Sequence, residues 1–271
     1  MPNERCIHLC QPDAGKSCGA CCGIYNYADS APEVLRARLR RRTARFRGDV
    51  HRRDDLTAFA RTIRLAEDQT RRFDGIYCCE YVGFLDPGER RVGCLLHPAQ
   101  NGGVDLRGVS FYGRDLCDGH LCPSHQFLSL AEQTMLVEIL DDWYLYGLCI
   151  TDIDLVKGYF RHIGECIGGT PLPEMFRKGL AREIARRFFA YKIDWPFRSS
   201  ERNRWGRFSF DGPRHLIRPI DYAAIGAGPS RYDGIFLSLC SLFRDREQLL
   251  LAEGLIRANI EAAAAACEGP S

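Results

Sequence analysis

Cysteine is the residue type that could do chemistry in this chain: there are 14 in 271 residues, and ten of them stand before residue 123. The most informative string is Lys16-Ser17-Cys18-Gly19-Ala20-Cys21-Cys22-Gly23. A Cys-x-x-Cys turn puts two thiolates on one side of a loop at the separation a tetrahedral ion or an iron–sulfur cube requires. Gly19 and Gly23 permit the tight backbone such a loop adopts. Neighbouring side chains diverge, so Cys21 and Cys22 are expected to serve different metal atoms, or one of them to be a supporting or redox thiol. Further ligands are expected from Cys79, from Cys94 in Gly93-Cys94-Leu95-Leu96-His97-Pro98, and from Cys117 and Cys122 in Cys117-Asp118-Gly119-His120-Leu121-Cys122-Pro123. The seven thiols Cys18, Cys21, Cys22, Cys79, Cys94, Cys117 and Cys122 exceed what one four-ligand site needs. Either there are two sites, or several of the seven are not ligands.

Cys78, Cys6, Cys10 and His120 are further candidates. His97, His120 and His125 all lie near cysteines and read first as ordinary polar residues; His120, inside Cys117-x4-Cys122, is the best placed to ligate. Cys149, Cys166, Cys240 and Cys267 are scattered among helix-patterned apolar residues, where a lone Cys behaves as a small hydrophobe, and they are left out of the site. No pattern singles out a Cys–His nucleophile, so catalytic residues are not assigned.

The meaning of the thiols depends on compartment. The start, Met1-Pro2-Asn3-Glu4-Arg5-Cys6-Ile7-His8, has no apolar core of signal-peptide length, and no uncharged apolar run nears the roughly 18 residues that span a bilayer. The chain is expected to be cytoplasmic, where closely spaced cysteines point to metal or catalytic thiols more than to disulfides. With 45% hydrophobic, 27% charged and 11% aromatic residues, the composition is that of a globular protein, not of a disordered, collagenous or coiled-coil chain. A chain this long folds without staples, so its cysteines need another role. The formal net charge of +2 does not mark a dedicated polyanion binder. All but four of the 37 basic residues are Arg, the exceptions being Lys16, Lys157, Lys178 and Lys192.

The elements that must position these thiols are mostly helical. Ser30-Ala31-Pro32-Glu33 and Ser129-Leu130-Ala131-Glu132 have the Ser-x-x-Glu form of a capping box, and each is expected to open a helix. After the first comes a basic stretch, Arg36 to Arg53, which could contact phosphates but reads as one solvated helix face. Leu56, Phe59, Ala60, Ile63 and Ala66 then recur at helical spacing, with Phe73 closing the pattern. Residues 74–125 have no clean period and hold nine glycines and five cysteines. So long an irregular stretch needs a holder, and a metal site is one. Beyond it, Leu136, Ile139, Leu140, Trp143 and Gly147 share a face, and Asp152 or Asp154 caps a helix through Phe160 and Ile163. Phe176, Leu180, Ile184 and Phe188 suggest a helix begun near Pro173. Residues 195–230 read as a long connection with a short strand at Arg207–Phe210. A final helical stretch carries Ile235, Leu239, Leu242, Phe243, Leu250 and Ile256. Gly226-Ala227-Gly228-Pro229-Ser230 reads as a turn before it rather than a dinucleotide loop, which argues against methyl transfer by a Rossmann domain.

The string Cys18-x-x-Cys21-Cys22, followed by Cys79-Glu80-Tyr81-Val82-Gly83-Phe84-Leu85 and then Cys94-Leu95-Leu96-His97-Pro98, resembles the YkgJ-like family, described as zinc- or iron-chelating cysteine-cluster proteins. The cluster is also similar to that of the flagellin lysine N-methylases, a resemblance that implies an iron–sulfur centre. By that resemblance Cys18, Cys21, Cys22, Cys79 and Cys94 map onto family cysteines, and Cys117 or Cys122 onto the closing one. His97-Pro98 stands where the family runs on to Arg-Pro and another Cys. The likeness spans roughly the first 125 residues, with the helices after Glu33 as an insertion.

These readings give a mainly α protein: an irregular cysteine-rich metal-binding module over residues 1–128 with inserted helices at 31–73, and a helical region over 129–271 packed on it. The expected cofactor is an iron–sulfur cluster, of 4Fe-4S type, or zinc. The expected role is electron transfer, redox sensing or support of a modifying enzyme, with a protein or redox partner and no membrane. The alternative is a structural zinc module that mediates protein or nucleic-acid interaction.

Overall fold

The structure, a computed structural model, describes residues 8–199, 210–211, 214–215 and 219–268. The fold is mainly α, with two small two-stranded sheets among the described residues. The chain splits into two compact units, one of Met1–Pro123 with Asp142–Gly147, the other of Ser124–Asp141 with Leu148–Ser271. Among the described residues no helix is long and apolar enough to cross a membrane.

In the first unit, helix α1 (Pro32–Asp49) and helix α2 (Asp55–Ala66) lie between the first and second groups of cysteines. Helix α2 buries Leu56, Phe59, Ala60 and Ile63, the i, i+3, i+4, i+7 face the sequence marks out. Helix α1 starts without the expected Ser30 box. Its N-cap is Ala31, extended at ψ 147° and without a side-chain cap, and Pro32 occupies the first turn. Proline biases the residue before it to extended backbone and its own φ suits the first helical position, so the start moves one residue on.

Strands β1 (Val82–Phe84) and β2 (Val92–Cys94) pair antiparallel in the register Val82↔Cys94, Gly83↔Gly93, Phe84↔Val92. Gly83 lets α1 come close: a Cβ there would lie 2.5 Å from Thr43 Oγ1, and that hydroxyl accepts the Phe84 amide. Three tyrosines tie Asp142–Gly147 into the same unit. Tyr25 donates to the carbonyls of Trp143 and Tyr144, Tyr144 to that of Ser30, and Tyr146 to that of Leu9. Helix α3 (Gly113–Gly119) completes the unit.

The second unit contains α4 (Ser124–Phe127), α5 (Leu130–Ile139), the end of α6 (Trp143–Ile150) from Leu148, α7 (Ile153–Ile167), α8 (Leu180–Asp194), α9 (Asp233–Ser238) and α10 (Arg246–Glu268). The Ser129 capping box is present in full, and Asp152 caps α7 through the Leu155 amide. The helical face expected from Leu136 through Gly147 belongs to two helices. Leu140 turns extended, and Asp142 caps the restart by accepting the Leu145 amide. Likewise Pro173–Phe176 is a separate 3-10 turn, and α8 begins at Leu180 after Gly179, whose φ is +81°.

Of the strand expected at Arg207–Phe210, residues 207–209 lie outside the described residues; Phe210 opens β3 (Phe210–Asp211), paired with β4 (Arg214–His215). Gly226 ends a 3-10 turn in left-handed backbone, as the turn reading requires. A wholly buried pair, Lys192 and Asp152 at 2.8 Å, crosses this unit's core, and Ser238 contacts both through its carbonyl and hydroxyl.

Candidate metal centre

Four segments of the first unit carry the thiols. In the first, Ala20–Cys22 forms a 3-10 turn, in which successive side chains point about 120° apart, so Cys21 and Cys22 diverge. Gly23 follows at φ +79°, and a Cβ there would lie 2.2 Å from the Tyr77 carbonyl oxygen. Only glycine permits both that backbone and that approach. The approach brings the second segment alongside, and the Cys79 amide donates to the Cys22 carbonyl at 2.9 Å.

Buried Asn26 fixes the turn into this segment. Its amide donates to the carbonyls of Phe73 and Ile76, and its oxygen accepts the Phe73 amide. Ser17, fully buried, donates to the Val92 carbonyl and accepts the Val92 amide, extending the β2 edge and setting Cys18 beside the hairpin that carries Cys94. Cys10 joins through the Cys18 amide, which donates to its carbonyl at 2.9 Å.

The basic stretch is part of this scaffold. Leu35, Arg38, Leu39 and Arg42 are all buried on one face of α1. Arg42 donates to Glu67, to the Tyr27 hydroxyl and, at 2.9 Å, to the Cys79 carbonyl. Arg38 and Arg41 also pair with Glu67, Arg36 and Arg40 with Glu89, and Arg45 with Asp49. Arg38 and Arg42 depart from the solvated basic face expected here and form an internal ion-pair network with Glu67, while Arg40, Arg41, Arg45, Arg47, Arg52 and Arg53 are exposed as expected. The signal for that network was present in the sequence, since the two buried arginines sit at i+3 and i+7 from Leu35.

Cys117 lies on α3. Arg107 reaches its carbonyl at 3.5 Å while gripping Asp105 and Asp118, and Ser110 Oγ lies 3.8 Å from its sulfur.

The thiols act on one another mainly within two sets, which meet where Cys22 acts on Cys21 and Cys18 on Cys22. The Cys21 thiol is raised by its hydrogen bond with Cys122, then by burial and by Cys18, Cys122 and Cys22. Burial and Cys122 push Cys10 up to about 11. Burial raises Cys18 well above the ordinary thiol, with Cys10 and Cys122 adding to it. In the other set, Cys22 is raised by burial, then by Cys79, Cys94, Cys117 and Cys18. Burial pushes Cys79 up to about 12, with Cys94 adding, and Cys94 up to about 11, with Cys117 adding and Arg107 opposing. Four thiolates cannot share such a site without a cation, because each raises the others, and a bound cation reverses that sign.

Backbone amides oppose the rise. Ala20 N–H donates to Cys18 Sγ at 3.4 Å, and the backbone amides of Tyr81 beside Cys79, and of Leu96 and His97 beside Cys94, lower those thiols against the effect of burial. A donor aimed at sulfur favours the thiolate over the thiol.

All seven candidate thiols therefore lie in the two sets, and Cys10, a further candidate, makes an eighth. Cys78 stands apart: its thiol donates to the Gly23 carbonyl, and the nearby arginines Arg71, Arg42 and Arg38 oppose the rise that burial causes. His120 is exposed at the end of α3. Cys6 lies outside the described residues. Cys21 and Cys117, one from each set, are exposed. Of the four cysteines left out, Cys149 and Cys240 are buried as expected, while Cys166 is exposed and Cys267 half-buried. Among the described residues, no group of three or more Cys, His, Asp or Glu side chains is placed as it would be around a metal ion. The chemistry of the donor set nonetheless suits a thiophilic ion, being thiols alone, from buried Cys79 and Cys122 to exposed Cys21 and Cys117. The tight backbone expected at Gly23 is present, and the residues sequence reasoning missed are the other positioning ones: Ser17, Asn26, Arg42 and Arg107. No family model, curated protein or solved structure matches the chain.

Proposed function

We propose that the first unit binds metal through its cysteines, as an iron–sulfur centre used for electron transfer, redox sensing or the support of a modifying enzyme. The observation that carries this reading is the gathering of eight thiols from four separate segments, three of which set backbone amides beside a thiol. The residues that would hold the metal are Cys10, Cys18, Cys21, Cys22, Cys79, Cys94, Cys117 and Cys122. An iron–sulfur centre would supply one-electron chemistry there, with a potential tuned by hydrogen bonds to sulfur and by solvent access. This chain's own groups are suited to such tuning: the amides of Ala20, Tyr81, Leu96 and His97 lower the charge on sulfur, and Arg107 adds a positive charge near Cys94. The exposed thiols Cys21 and Cys117 are where a redox partner would approach. The resemblance to the YkgJ-like proteins rests on Cys18, Cys21, Cys22, Cys79, Cys94 and one of Cys117 and Cys122, and it supports the reading.

A structural zinc module is the second reading. What favours it is that residues 74–125 hold only short elements, so stapling loops would be function enough. Anaerobic purification, a visible spectrum and elemental analysis on one sample separate the two. Iron with acid-labile sulfide and a brown colour supports the redox centre, zinc in a colourless protein supports the staple, and neither metal overturns both. Cys18→Ser, Cys94→Ser and Cys122→Ser should each lower metal content while Cys240→Ser should not.

A further inference from the structure

We infer that the eight cysteines form two separate four-thiolate centres, Cys10, Cys18, Cys21 and Cys122 holding one and Cys22, Cys79, Cys94 and Cys117 the other, with the Cys21–Cys22 peptide as their junction. The inference rests on the metal reading above and deepens it. A single centre of ordinary type uses four thiolates, and eight are present in one neighbourhood.

The backbone divides them. The 3-10 turn at Ala20–Cys22 turns neighbouring side chains about 120° apart, which sends Cys21 and Cys22 to different sides. On the Cys21 side, that thiol hydrogen-bonds Cys122, and the Cys18 amide brings Cys10 alongside by donating to its carbonyl. On the Cys22 side, the Cys22 carbonyl accepts the Cys79 amide, and Cys94 is set across from Val82, three residues after Cys79, by the β1–β2 register. Arg107 closes that side by holding the Cys117 carbonyl. Each set draws on both ends of the unit's sequence, so neither is a local knuckle that could form without the fold.

The two sets are alike in construction. Each takes one thiol from the Cys21–Cys22 pair, and each keeps one thiol exposed, Cys21 in the first and Cys117 in the second. A centre would therefore have one edge near solvent in each set, with its other ligands more deeply placed.

The test is metal stoichiometry in the full chain, purified anaerobically and loaded either with iron and sulfide or with zinc. Circular dichroism checks that each variant is folded. Wild type should take up about two zinc ions or about eight irons with as many sulfides. Cys10→Ser with Cys122→Ser should halve the uptake, Cys79→Ser with Cys94→Ser should remove the other half instead, and all four together should abolish it.

The sharpest comparison is between neighbours. Cys21→Ser should leave a remainder that a further Cys94→Ser abolishes but a further Cys122→Ser does not reduce, and Cys22→Ser should show the reverse. Because Cys21 is exposed, the first of these variants is the least at risk of misfolding. One equivalent of metal in wild type, or the loss of all metal from either double variant in a folded chain, overturns the division while leaving the metal reading intact. No metal in wild type overturns both.

Discussion

Glu67 and Arg42 show how much of the thiol site depends on residues with no sulfur. Arg42 is wholly buried and its guanidinium spans Glu67, Tyr27 and the Cys79 carbonyl. Removing the carboxylate strands a buried cation, so Glu67→Ala should cost about 3–5 kcal/mol in urea unfolding, whereas Arg40→Ala, at an exposed pair with Glu89, should change little. Burial pushes the Glu67 carboxyl up, but Arg42, Arg38 and Arg41 outweigh it and hold it below the ordinary 4.5. A carboxyl whose folded value is depressed stabilises fully above the unfolded value and loses that stabilisation as pH falls through the folded one. Stability should thus decline as pH drops below 4.5, and Glu67→Gln should flatten that limb in unfolding measured across pH. Gly23 is the second such residue. Gly23→Ala forces an L side chain into left-handed backbone against the Tyr77 carbonyl, which should cost about 2 kcal/mol or more. It should also reduce metal content, since the same contact joins Cys22 to Cys79.

Helix starts separate what sequence shows from what it conceals. Ser129 forms a full capping box, and Ser129→Ala should lower stability by about 1 kcal/mol, read as a shift in the urea midpoint. The same Ser-x-x-Glu pattern at Ser30 gives no box, because Pro32 fixes where α1 begins. Of the two helices between the cysteine groups, the second was legible from the period of Leu56, Phe59, Ala60 and Ile63. The break at Leu140–Asp142 was not, since apolar residues keep their period across it. The burial of Arg38 and Arg42 was hidden by a different cause: side-chain type suggested solvent while position in the turn pointed inward. In the second unit the Lys192–Asp152 pair was equally illegible, its partners lying 40 residues apart. Lys192→Met should leave Asp152 unpaired in the core and cost about 3–5 kcal/mol, measured by the same unfolding assay.

At the scale of the molecule, the thiol site belongs to one unit and is assembled from distant segments, so metal binding and folding of that unit should be coupled. Removing metal with a strong chelator should lower its unfolding temperature and raise its amide exchange over residues 74–122, with both restored on reloading. The sequence exposed the thiols because Cys-x-x-Cys-Cys spacing is local, and it indicated an excess over one site. How they pair was beyond it, because that depends on Gly23 and Asn26 reaching across about 50 residues to the second segment and on the β1–β2 register. The central claim is that the first unit holds metal by sulfur alone. X-ray absorption at the iron and zinc edges of the anaerobically purified full chain tests it most directly. The account expects a first shell of sulfur at about 2.3 Å, with an iron–iron distance as well if the centre is iron–sulfur. A shell dominated by nitrogen or oxygen, or a chain with neither metal, would contradict it.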